Sequence, residues 1–326
     1  MTGQLPRRRL GARGPEVGAL GFGCMALSGI YGEVDDRAMV RLLHEALDAG
    51  ITHLDSADSY GQGHNEELVG RALSRRRDDV VLATKFGIQS EGLGRPDRIR
   101  QALDASLTRL GTDRVDVYYM HRFDPTTPVE ESIGALGEIV EAGKIGHIGL
   151  SEVSAARLRA AHAVHPITVV QQEYSLMSRD LEDELLPAMR ELGVGLVAYS
   201  PLGRGMLGGA FRRPADLPPD DARRVRYPRY SAENLEHNLG LANALATVAE
   251  AHGLAPSTLA LAWVLSRGGD VVPIPGTTRP ENLRSNLGAA YVALDPSVVE
   301  ELERMVPRDA ATGERYNETM SRRLDR

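Results

Sequence analysis

Short apolar runs alternate with amphipathic stretches along most of the chain. The runs are "GALGFG" (18–23), "THLDS" (52–56), "DVVLAT" (79–84), "RVDVYYM" (114–120), "IGHIGLS" (145–151), "ITVVQQ" (167–172), "GVGLVAYS" (193–200) and "DVVPIP" (270–275). Short, continuously hydrophobic segments of this kind predict strands buried on both faces. Between them, "DDRAMVRLLHEALDAG", "RPDRIRQALDASLTRLG", "ESIGALGEIVEAG" and "LEDELLPAMRELG" read as helices that stop on Gly50, Gly111, Gly143 and Gly193. Three- and four-residue apolar spacing marks the buried face, and glycine supplies the left-handed residue that ends a helix. A helix ended by glycine and followed at once by a buried strand is half of a βαβ unit, so the strands run parallel.

Eight such units predict an α/β protein whose sheet closes into a (β/α)₈ TIM barrel, an architecture that typically takes ~250 residues. Residues 1–326 read as one domain without an interdomain linker. The Pro- and Arg-rich segment 211–230, "FRRPADLPPDDARRVRYPRY", reads as a long loop after the seventh barrel strand. Two readings of it are open: a solvated connection, or a lid over a site.

Composition narrows the function. A net charge of −7 argues against nucleic acid as the main partner, because phosphate binding needs a basic surface. One cysteine, Cys24, excludes an intramolecular disulfide and fits a reducing compartment, so cytoplasm is the expected location. No apolar run approaches the ~20 residues of a membrane span. Of the 38 basic residues only Lys85 and Lys144 are lysines.

Barrel enzymes place their chemistry at the C-terminal strand ends. Asp55 closes the second predicted strand, Tyr60 follows in "SADSYGQGHNE", Lys85 closes the third, and His121 closes the fourth. Each has an ordinary explanation alone (a helix cap, an exposed loop residue, a structural histidine), but all four point into one mouth. A lysine kept in an arginine-rich chain suits a site that needs a compact ammonium. Beside Tyr60 it would lower the phenol pKa and ease proton release to a developing alkoxide. Asp55 would hold the lysine, and His121 would orient a carbonyl. The set therefore suits hydride transfer coupled to proton donation.

These residues lie in segments that resemble the aldo-keto reductase superfamily. "LDSADSYGQGHNEELVGRAL", "LATKFG", "DVYYMHRFD", "GKIGHIGLSE", "VVQQEYSL", "AYSPLGRGML" and "VVPIPGTTRPENLRSN" follow the family order over roughly residues 20–290. The pattern is most similar to the branch with pyridoxal-reductase-like and perakine-reductase-like enzymes. The resemblance implies a barrel with an N-terminal β-hairpin cap, NADPH extended across its top, and a small-molecule carbonyl substrate. It implies an Asp55–Tyr60–Lys85–His121 tetrad, nicotinamide carboxamide ligands at Ser151 and Gln171, and a stacking ring at Tyr199. Gly23, Cys24 and Met25 match a segment near the cofactor. Ser200, Leu202, Gly203 and Gly205 match the pyrophosphate loop, with Arg204 as an added contact. Many members carry Ser-Asn where this chain has Ser151-Glu152, and Lys-Ser where it has Gly276-Thr277. The 2′-phosphate contacts are therefore expected from Thr277, Thr278 and Arg279, with Asn282 and Asn286 nearby. Tyr31 and Phe123 are candidate substrate-pocket walls.

Other patterns carry less. Gly21 to Ala26 fits a dinucleotide fingerprint, but a loop rather than a helix follows it. His162 and His165 lack a third metal ligand and read as surface residues, so no metal is expected. Asp35-Asp36 and Asp78-Asp79 read as caps and turns. Two other function classes stand beside the reductase: a cofactor-sensing regulatory subunit like the potassium-channel β-subunits, and an unrelated carboxylate-based barrel hydrolase. Cofactor binding without turnover marks the first, and no nicotinamide binding the second.

Overall fold

The computed structural model describes residues 5–88 and 91–325. Strands β1 (Arg7–Arg9) and β2 (Glu16–Gly18) form an antiparallel hairpin. The barrel strands follow: β3 (Phe22–Gly23), β4 (His53–Asp55), β5 (Val81–Phe86), β6 (Val115–Met120), β7 (Ile145–Ser151), β8 (Val169–Glu173), β9 (Gly195–Tyr199) and β10 (Val271–Pro273). They pair in parallel and in chain order from β3 to β10. The two edges meet where the Gly21 N–H donates to the Pro273 carbonyl at 3.0 Å. At this seam a Cβ on Gly276 would lie 2.3 Å from the Gly23 carbonyl oxygen, so only glycine allows the approach.

The connecting helices are α1 (Asp36–Asp48), α2 (His64–Leu73), α3 (Pro96–Leu110), α4 (Val129–Glu141), α5 (Ala155–Val164) and α6 (Leu185–Leu192). After β9 come α7 (Ala222–Arg226), α8 (Leu235–Ala251) and α9 (Pro256–Ser266); after β10 come α10 (Pro280–Gly288), α11 (Pro296–Met305) and α12 (Glu318–Ser321). Their ends obey local chemistry. The Asp35 side chain accepts the Ala38 N–H to start α1, and Gly111 and Gly193 end α3 and α6 in the left-handed conformation.

Side chains alternate across each strand. One set, including Leu82, Tyr118, Ile148, Val170 and Leu196, packs outward against the helices. The other, including Ala83, Val117, Tyr119, Val169, Val197 and Val272, fills the barrel interior, where Leu10 and Val17 of the hairpin plug the bottom. Ala12 N–H donates to the Gly193 carbonyl at 2.7 Å, which fixes the hairpin at the N-terminal end of the barrel. The ring of Tyr119 occupies the place a Cβ on Gly149 would take, 2.4 Å from the ring edge, so this interior layer is tightly filled. Apolar filling below leaves the upper, C-terminal mouth for polar residues.

Candidate active site

The alternation that points Ala83 inward also points Lys85 inward, two residues nearer the mouth. The same rule turns Asp55 of β4, Ser151 of β7, Gln171 of β8 and Tyr199 of β9 toward the axis. Lys85 is fully enclosed and forms an ion pair with Asp55 Oδ1. Its other bonds go to the Ser56 carbonyl at 2.7 Å and the Tyr60 hydroxyl oxygen at 3.2 Å. An ammonium has three protons, and all three are committed here. Because Lys85 donates to the Tyr60 oxygen, the phenol's own proton is free to point elsewhere.

Tyr60 reaches this position through a sharp turn. Gly61, Gln62 and Gly63 all have positive φ, and a Cβ on Gly61 would lie 2.9 Å from Ser28 Cβ. The ring of His121 meets the Tyr60 ring edge-on, with centroids 6.0 Å apart. His121 Nδ1 is buried with no protein partner among the described residues.

Electrostatics sorts these groups. Burial pushes the Tyr60 phenol above its ordinary range, and the Lys85 charge pulls against that without reversing it. The expectation of a lowered tyrosine pKa is therefore corrected: desolvation of the phenolate outweighs the ammonium. Burial also works against the Lys85 charge, but Asp55 and Tyr60 overcome it and leave the ammonium more firmly protonated than usual. Burial, with help from Arg122 and Lys85, drives His121 well below its ordinary value, so the imidazole is neutral. The site thus holds one fixed cation, one protonated phenol and one neutral imidazole.

Ser151, Gln171 and Tyr199 lie toward the C-terminal ends of β7, β8 and β9, at the same mouth. Ser151 Oγ lies 3.3 Å from an Arg122 nitrogen. Gln171 Nε2 donates to Asp55 Oδ2 at 2.8 Å. The Tyr199 hydroxyl lies 2.7 Å from both Glu152 Oε1 and the Tyr316 hydroxyl. Cys24 is buried, Met25 half-buried, and Gly23 lies at the seam. Ser200, Gly203, Arg204 and Gly205 all have positive φ, and Leu202 sits within that loop. Thr277 is buried and accepts the Arg279 N–H at 3.1 Å; Arg279 is the exposed N-cap of α10. Thr278 is half-buried, Asn282 exposed and Asn286 buried on the following helix.

Tyr31 lies under the Arg223 guanidinium, 5.1 Å from its ring centre, and Phe123 lies under Arg157 at 5.0 Å. Segment 211–230 is exposed over 212–215 and 218–220 but anchored further on. The Tyr230 hydroxyl donates to the Gly203 carbonyl at 2.5 Å, and Arg223 donates to the Arg204 carbonyl at 3.0 Å. His162 Nδ1 accepts the Ile167 N–H at 3.2 Å, so this half-buried histidine serves the backbone.

One cluster escaped sequence reading. Glu152 and Glu173 are buried and meet Arg315 and Arg204. Both Arg315–Glu152 contacts are 2.9 Å, and Arg204 reaches Glu173 at 2.8 and 3.0 Å. Arg204 also lies over the Tyr227 and Tyr316 rings, at 4.2 and 4.9 Å. The C-terminal tail is thereby tied across the mouth. Glu152 was visible only as a departure from the family pattern, and Glu173 as a carboxylate closing a buried strand.

The aldo/keto reductase family model matches residues 19–307. The chain belongs to the aldo/keto reductase family. A "Probable aldo-keto reductase 1" of Glycine max is 44% identical over 323 residues, covering 96% of this chain and 93% of that one. The thermostable aldo-keto reductase Tm1743, solved with the inhibitor epalrestat, matches with TM-score 0.75 and 34% identity over 92% of this chain and all of that one. The glycerol dehydrogenase AKR11B4 of Gluconobacter oxydans matches with TM-score 0.82 and 30% identity, covering 93% of this chain and 96% of that one. Aldo/keto reductases are oxidoreductases that act on small carbonyl compounds with a nicotinamide cofactor. Positive-φ residues shape the loop from Ser200 to Gly205, and exposed Arg279 caps the N-terminus of α10, which suits the phosphates such a cofactor carries.

Proposed function

We propose that this protein reduces an aldehyde or ketone to an alcohol with NADPH, and that Tyr60 donates the proton. The observation that carries the reading is the enclosed Lys85, whose three bonds end on Asp55, the Ser56 carbonyl and the Tyr60 oxygen. That arrangement aims the phenol proton away from Lys85 and leaves an ammonium in contact with the oxygen that becomes phenolate. Lys85 thus lowers the cost of the charge that appears on Tyr60 as its proton leaves. Neutral His121 donates one hydrogen bond to the carbonyl oxygen, orienting it without competing as an acid. Asp55 keeps Lys85 charged and in place.

Reduced nicotinamide, when bound, supplies the hydride. Ser151 and Gln171 would hold its carboxamide, Tyr199 would cover one face, and Gly23 to Met25 would line its approach. The loop of Ser200, Leu202, Gly203 and Gly205 would take the pyrophosphate. Arg204 is engaged with Glu173 and would serve that loop by shaping it. Thr277, Thr278 and Arg279, with Asn282 and Asn286, would take the 2′-phosphate; exposed Arg279 at a helix N-terminus favours a phosphate there.

The test is consumption of NADPH and of NADH with a reactive aromatic aldehyde, for wild type and Tyr60→Phe. NADPH-preferring turnover that falls by about 10²–10⁴ in the variant, with NADPH binding kept, supports the reading. Full activity in Tyr60→Phe removes the proton-donor role. NADPH binding without turnover of any carbonyl favours a cofactor-sensing subunit instead.

A further inference from the structure

Arg122 has no role so far, and its surroundings are unusual. It follows His121 directly and is only 9% exposed. Buried guanidiniums are normally neutralised by a carboxylate. Among the described residues Arg122 forms no ion pair of its own, although Glu152 acts on its charge from nearby; its hydrogen bonds run from Nη1 to the His121 carbonyl at 2.5 Å and to Ser151 Oγ at 3.3 Å. The nearby Glu152 is occupied on both oxygens by Arg315. Nε and Nη2 make no hydrogen bond among the described residues, which leaves most of the five-proton fork unused.

Ser151 and His121, the two residues Arg122 bonds, both lie at the barrel mouth, and His121 meets the Tyr60 ring edge-on, so the guanidinium sits at the same mouth. The wider mouth is also short of negative charge. Arg204, Arg315 and the Arg229 side chain, which is 15% exposed, already draw on two buried carboxylates, Glu152 and Glu173, with the exposed Asp180 at the edge.

We propose that Arg122 is a specificity-determining residue that binds a compact anionic group, carboxylate or phosphate monoester, carried by the carbonyl substrate a few bonds from its reacting carbon. The guanidinium fork matches such a group in two parallel hydrogen bonds. Its attachment next to His121 places the anion beside the orienting imidazole, so one end of the substrate is held while the carbonyl meets Tyr60. The substrate's anion would meet the Nε and Nη2 donors that no hydrogen bond among the described residues uses. This assignment rests on the carbonyl-reductase reading.

The experiment compares matched pairs with NADPH: the three carboxybenzaldehydes against their methyl esters, and glyceraldehyde 3-phosphate against glyceraldehyde. In the wild type, kcat/KM is expected to favour at least one anionic partner by about 10–100-fold, mainly through KM. The pair that shows it distinguishes carboxylate from phosphate. Arg122→Gln should bring that ratio near one, and Arg122→Lys should restore part of it. A wild-type preference for the neutral partner in every pair overturns the assignment, whatever the variants do. So does an unchanged ratio in Arg122→Gln, including the case where only the NADPH Kd moves. If no aldehyde is reduced at all, the reductase reading fails separately, and calorimetric titration with benzoate and inorganic phosphate decides on Arg122. Binding lost in Arg122→Gln supports the anion site, and equal or absent binding in both proteins overturns it.

Discussion

The side-chain amide of Gln171 donates to Asp55 Oδ2 at 2.8 Å, on the carboxylate whose other oxygen pairs with Lys85. The two residues are 116 positions apart in the chain. Asp55 is thereby held from both sides, by an ammonium on one oxygen and by an amide from β8 on the other.

That bond makes Gln171 a support for the ion pair as well as a candidate cofactor ligand. Gln171→Leu should destabilise the cofactor-free protein by about 1–3 kcal/mol, because a buried carboxylate oxygen loses its donor. Gln171→Glu should cost more, since it sets a second buried carboxylate against Asp55. Urea unfolding of the cofactor-free proteins measures both; equal stability in all three would exclude the supporting role.

Glu173 gives an acid-side prediction. Burial opposes its charge, but Arg204 and Arg315 outweigh that and hold the carboxyl down at about 2, against an ordinary 4.5. A native pKa below the unfolded one adds stability that is complete above pH 4.5 and is lost as pH falls toward 2. Tail attachment should weaken over that window. Glu173→Gln should produce the loss at neutral pH, by about 3–5 kcal/mol, because two buried guanidiniums lose a partner. Limited proteolysis should show faster cleavage beyond α11 in the variant, and an unchanged digest would count against the tie.

Asp58 behaves in the opposite sense. Burial, then the Glu66 charge, raises its carboxyl to about 6 from an ordinary 3.8, and Oδ1 has no partner among the described residues. The native state holds this proton more tightly than the unfolded chain. Its contribution to stability therefore declines as pH rises from about 4 to about 6 and stays level above. Asp58→Asn should stabilise the protein by about 1–3 kcal/mol at pH 7, with the advantage vanishing below about pH 4. Thermal unfolding across that range checks both the sign and the window.

Much of this site was legible because its information is local. Asp55, Lys85 and His121 each close a strand that its own apolar run marks, and all eight predicted strands are present. The direction of the Tyr60 shift was not legible, since burial depends on every wall of the barrel at once. Nor was the pairing of Arg204 with Glu173, or of Arg315 with Glu152, which join positions 31 and 163 residues apart. Arg204 reads naturally as a phosphate contact from its loop; only the fold brings it to the end of β8.

Selectivity for the phosphorylated cofactor should depend on one exposed side chain. Arg279→Ala should raise the NADPH Kd by about tenfold and leave that of NADH nearly unchanged, since only the former has a phosphate for the guanidinium to meet. Fluorescence titration with each cofactor measures the two constants, and parallel changes in both would place Arg279 outside the 2′-phosphate site.

The scarcity of lysine has a practical side. Lys144 is exposed on the surface and Lys85 is sealed inside. An amine-reactive label applied to the folded protein therefore meets one lysine, and a second reacts only when the barrel opens. The residue that anchors Tyr60 doubles as a native reporter of unfolding, readable by mass spectrometry without adding any probe to the chain.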